Sequence, residues 1–122
     1  MASEKVRFTS HQGKNILVVD LSGSPGEAVS APILAGARAM IDAAPPKSLL
    51  LLTNVTNTHY DAGSAEAMKL YSKQNNPYVK ASAVVGAVGI KRILLNAVVK
   101  ITGRHIATFD TVEAGLDWLA AQ

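Results

Sequence analysis

Apolar residues recur along this chain in two alternating patterns. Short apolar or period-two runs read as strands, and stretches with apolar residues three and four apart read as helices. Val6 to Thr9 predicts a short first strand, and His11-Gln12-Gly13-Lys14 a hairpin turn. Asn15 to Leu21 (NILVVDL) is rich in β-branched residues and predicts a second strand. After the loop Ser22 to Gly26, Ile33, Leu34, Ala37, Met40, Ile41 and Ala44 mark one face of a helix. Pro32 belongs in its first turn or kinks it, with Ser30 as an N-cap in the first case. Pro45-Pro46 ends it.

Ser48 to Thr53 (SLLLLT) is a continuous apolar run, short and bounded by turn residues. That suits a central strand covered on both faces. Asn54 to Tyr60 is polar. Asp61 then caps a helix from Ala62 to about Asn75, buried through Ala67, Leu70 and Tyr71. Val79 to Gly86 predicts a further strand. From Val88 to Thr102, Ile90, Ile93, Leu94, Ala97, Val98 and Ile101 form the longest helical stripe, with Gly103 just past its end. His105 to Phe109 predicts a last strand. Asp110 or Thr111 caps a final helix, buried through Val112, Leu116 and Leu119, with Trp118 at its edge. The order is ββαβαβαβα. It predicts an α/β fold with a mixed sheet of about five strands, antiparallel at its start and parallel afterwards.

The length of 122 residues suits one domain over 1–122, with enough chain to bury its own core. The absence of cysteine removes disulfides, thiol nucleophiles and cysteine-based metal sites from consideration. No apolar run approaches a membrane span, and the first residues show no apolar core behind their charges. The expected location is therefore cytoplasmic. Charge changes the picture more by segment than in total. The formal net charge is +3, but residues 62–109 carry seven cations against Glu66 alone. A positive block of this kind attracts anionic partners. Aromatic residues are few, at 5%, and are not interleaved with these cations, so nucleic acid is not an expected partner. Three histidines at 11, 59 and 105 lack the spacing of a metal site, and no cofactor fingerprint is present.

Three places carry candidate chemistry. The loop Asn54, Asn57, Thr58, His59, Tyr60 and Asp61 joins the central strand to a helix start. Its plain structural role is to cap that helix and satisfy turn backbone; its functional role is a partner or ligand surface. His59 with Asp61 is the remotest option, a base and its orienter in an enzyme. Gly86 to Arg92 places two glycines before a helix start, either as a tight turn or as an anion cradle. On the long helix, Lys91, Arg92, Asn96 and Lys100 make a basic side. Leu95 and Val99 add apolar surface beyond the core stripe. That suits a partner helix, a second copy of the chain, or an apolar or anionic ligand, unless a neighbouring element covers it.

The segments TNVTNTHYD, NPYVKASAVVG, GIKRILLNAVVKITGR and ATFDTVEAGLDWL, taken in order, resemble the small bacterial STAS-like proteins often labelled STAS/SEC14. These are distant relatives of the anti-sigma-factor antagonists of sporulation control. The resemblance implies a STAS-like α/β sandwich and a non-enzymatic regulatory or protein-binding role. The SEC14 label implies a small-ligand carrier, for a lipid or similar molecule, as the alternative. In antagonist-type STAS domains a regulatory serine follows an Asp at the start of the helix after the central strand. The matching place here is Asp61-Ala62-Gly63-Ser64, with Ser64 displaced by one or two residues and a longer loop before it.

Overall fold

The computed structural model describes residues 5–23, 27–58, 62–87 and 106–122. Among them the elements are β1 (Val6–His11), β2 (Lys14–Asp20), α1 (Glu27–Asp42), β3 (Leu49–Asn54), α2 (Ala62–Asn75), β4 (Val79–Val85), β5 (Ile106–Phe109) and α3 (Val112–Ala120). The predicted helix at 88–102 lies outside the described residues.

The five strands form one sheet in chain order. β1 and β2 are antiparallel; the pairs β2–β3, β3–β4 and β4–β5 are parallel. The antiparallel start with parallel successors is as the element order predicts. The hairpin is tighter than expected. His11 and Lys14 pair within the ladder, and only Gln12 and Gly13 turn, both at positive φ (50° and 80°). Two consecutive left-handed residues match the right-handed twist of a strand pair, which favours such short loops.

Leu51 and Leu52 show why the SLLLLT run is central. Leu51 packs with Leu17, Val19, Ile33, Leu34, Ala37, Ile41 and Tyr71 on one face. Leu52 packs with Ile16, Val18, Ala83, Val85 and Leu119 on the other. Helices α1 and α2 share the first face, and α3 covers the second. The β2–α1–β3 and β3–α2–β4 crossovers step one strand in the same direction, so one handedness places α1 and α2 on one side.

Two local expectations need correction. Helix α1 starts at Glu27, so Ser30 is not its cap and Pro32 is its sixth residue. The proline ring is exposed there and gives up one amide bond to the preceding turn. In α2, Leu70 is 57% exposed, while Tyr71, Ser72 and Asn75 are buried. The inward face is rotated toward Asn75 because Arg38 on α1 reaches it. The guanidinium donates from Nη1 to Asn75 Oδ1 at 2.7 Å, pairs with Asp42 at 2.8 Å, and sits 5.9 Å from the Tyr78 ring centre. A charge-assisted hydrogen bond thus joins the two helices beside the apolar cluster to which both contribute.

In α3 the fully buried positions are Gly115 and Leu119, with Val112, Leu116 and Trp118 half-buried around them. A Cβ on Gly115 would stand 2.9 Å from Leu52 Cδ1, so glycine sets how closely this helix lies on the sheet. Thr111 caps the helix: its hydroxyl accepts from the Ala114 amide at 3.2 Å. Thr111→Ala is expected to cost about 1 kcal/mol, read as a fall in the urea midpoint at unchanged m-value. An unchanged midpoint would remove the cap from this account. At its far end α3 is tied to the hairpin, where His11 Nε2 lies 2.6 Å from Asp117 Oδ1 and Gln12 Nε2 donates to the same oxygen at 3.0 Å.

Candidate functional site

The four parallel strands end in line. Asp20 pairs with Asn54, Asn54 with Val85, and Val85 with Phe109. Functional crevices of parallel sheets lie at this carboxyl edge, where helix N-termini also point.

The described part of the rim is built from one local device used twice. Asp20 Oδ1 accepts from the Ser22 amide at 2.9 Å and the Ser22 hydroxyl at 2.5 Å. One strand over, Asn54 Oδ1 accepts from the Thr56 amide at 3.1 Å and the Thr56 hydroxyl at 2.7 Å. Each Asx side chain closes a turn over its own backbone two residues on. Backbone bonds then join the turns. Leu21 N donates to Asn54 O at 2.9 Å, Gly23 N to Thr56 O at 3.0 Å, and Val55 N to Val85 O at 2.8 Å. Thr58 closes the loop by donating its hydroxyl to Val55 O at 2.7 Å. Gly86 continues the rim, with its amide on Phe109 O at 3.0 Å. Its φ is +81°, and a Cβ there would lie 2.3 Å from Thr56 Oγ1 and 2.7 Å from Thr56 Cα. The 54–58 loop is therefore stacked directly on Gly86.

Of the residues singled out in the sequence, Asn54 is committed to the turn. Asn57 stands exposed at the loop tip with φ 56°. Ser64 falls in the first turn of α2. His59, Tyr60 and Asp61 lie outside the described residues, as do Lys91, Arg92, Leu95 and Val99. The reading of the Asn and Thr side chains as turn-satisfying groups holds for Asn54 and Thr58. Asp20, Ser22 and Gly86 were not singled out from the sequence as rim residues. A signal was present: an apolar run followed by Asp-x-Ser in one case and Asn-x-Thr in the other marks two equivalent strand ends. Among the described residues no group of three or more His, Asp or Glu side chains is placed to hold a metal ion. Also among them, no helix is long and apolar enough to cross a membrane.

Among the described residues, a sheet in sequential order with an antiparallel start, two helices on one face and one on the other defines the class. A crystal structure of an uncharacterized protein of the DUF3478 family, with a SpoIIAA-like fold, from Shewanella loihica PV-4, aligns with a TM-score of 0.74. The alignment covers 93% of this chain and 91% of that one at 13% identity. The chain therefore has a SpoIIAA-like, that is STAS-like, α/β fold, as the resemblance in the sequence implied. No model of a known protein family and no curated protein matches the sequence.

Proposed function

We propose that the chain is a non-enzymatic regulatory module. It docks a protein partner through the carboxyl-edge rim and the basic segment at 88–104. The observation that carries this reading is the commitment of the rim's polar groups. Asp20 Oδ1 and Asn54 Oδ1 each accept a loop amide and the hydroxyl of Ser22 or Thr56, and the Thr58 hydroxyl donates to Val55 O. They build a firm, shaped surface rather than offering groups to a reacting molecule. Asn57 is exposed at its tip, and Ser64 falls in the first turn of the helix that follows in the chain. The STAS-like fold and the resemblance to anti-sigma-factor antagonists support the same reading, because those relatives bind partners near this helix start.

The test begins with a partner recovered from the source cell and purified. Its affinity is then compared for wild type, Asn57→Arg, and the double variant Lys91→Glu with Arg92→Glu. Each variant is expected to weaken binding roughly tenfold, the charge variant most strongly at low salt. Wild-type affinity in both variants rejects the reading. Native mass spectrometry of the isolated protein separates the alternative. A co-purifying small molecule would favour a carrier that uses the apolar surface of Leu95 and Val99.

A further inference from the structure

Among the described residues β1 is an edge strand, paired on one side only, by β2. Lys5 O accepts from Asp20 N at 2.7 Å. Hydrogen-bonded pairs alternate along an antiparallel ladder, so the odd residues of β1 turn their backbone groups toward β2. Val6, Phe8 and Ser10 turn theirs to the open edge. Neither a proline nor a bulge interrupts this strand, although natural edges are commonly blunted in one of those ways.

The side chains along this edge are as distinctive as the backbone. Phe8 is 42% exposed on the α1 face. Beside it is a mainly apolar depression of about 360 Å³, lined by Phe8, Met40, Ala44, Pro45 and Leu49 together with the polar Asn15 and Ser48. Asn15 is opposite Ser10 in the ladder, so beside Phe8 only that small side chain borders the depression on the side of the edge strand. On the other face, Arg7 is exposed, and His11 holds Asp117, whose side chain is 53% exposed.

We propose that two copies of this chain pair antiparallel through β1, with Thr9 opposite Thr9. In that register the outward groups of Phe8 meet those of Ser10 in the second copy. Each Phe8 then passes over the other copy's Ser10 into its depression. The same register sets Arg7 opposite the second copy's His11, within reach of the Asp117 carboxylate there. One alignment therefore satisfies the edge backbone, fills the apolar depression and matches cation to anion, twice over by symmetry. The two sheets become one continuous sheet of ten strands. The carboxyl-edge rim takes no part, so this inference is independent of the proposed function.

Sedimentation equilibrium across micromolar concentrations tests it. Wild type is expected to dimerise, and Phe8→Lys to weaken dimerisation at least roughly tenfold while keeping its circular dichroism spectrum. The register is tested separately. Directly opposed non-hydrogen-bonded residues stand about 4.5 Å apart at Cα, within disulfide reach. The chain has no cysteine of its own, so Thr9→Cys should cross-link to a covalent dimer under mild oxidation, and Phe8→Cys far more slowly. A wild-type monomer at high micromolar concentration overturns the proposal, even if the edge captures a strand of some other protein. So does a dimer that survives Phe8→Lys, or a Thr9→Cys protein that fails to cross-link.

Discussion

Gly86→Ala is expected to destabilise the protein by about 3 kcal/mol and lower its melting temperature by roughly 10 °C. Two costs add. Alanine resists the φ of +81°, and its Cβ would enter the space of the Thr56 hydroxyl, Cα and amide nitrogen, at 2.3, 2.7 and 2.9 Å. The last two are backbone atoms, so a rotamer change cannot relieve the clash and the 54–58 loop has to move. Gly13 supplies the comparison. Its φ is +80°, but nothing lies within 4 Å of a Cβ built there. Gly13→Ala should therefore show the backbone cost alone, about 1 kcal/mol. Thermal unfolding of the two variants side by side separates the terms. Equal melting temperatures would show that the contact with Thr56 carries no weight.

Leu51→Ala and Leu52→Ala should each cost about 2–5 kcal/mol, measured by urea unfolding. These neighbours point to opposite faces and are 1% and 0% exposed. A sheet covered on one side only would tolerate one of the two changes. Leu52 lies under the closest approach of α3, at Gly115, so its loss leaves a cavity below a helix of nine residues. A cost below about 1 kcal/mol at either position would refute the two-layer description of the core.

The resemblance of its segments to a known family implied the STAS-like fold class; among the described residues, the sequence by itself determined the element order and the central place of SLLLLT. The reason is that burial on one face or two writes a local hydrophobic period, and turn residues punctuate it. Helix α2 is legible to the residue because Asn-Asn-Pro closes it and a polar loop precedes it. Helix α1 is less legible. Pro32 suggests a start that the chain does not use, since packing of Ile33, Leu34, Ala37 and Ile41 outweighs one lost amide bond.

The tertiary structure decided what local pattern cannot carry. Leu70 looks like core and is exposed, while Asn75 looks like a helix stop and is fully buried. Its environment is made by Arg38, 37 positions away in the chain. The two Asx turns become one rim only when parallel pairing sets Asp20 beside Asn54. Gly86 becomes indispensable only because Thr56 lies against it. The open edge of β1 follows from strand order, which depends on crossover geometry rather than on any residue within the strand. In each case the deciding contact joins residues far apart in sequence, so no window along the chain contains it.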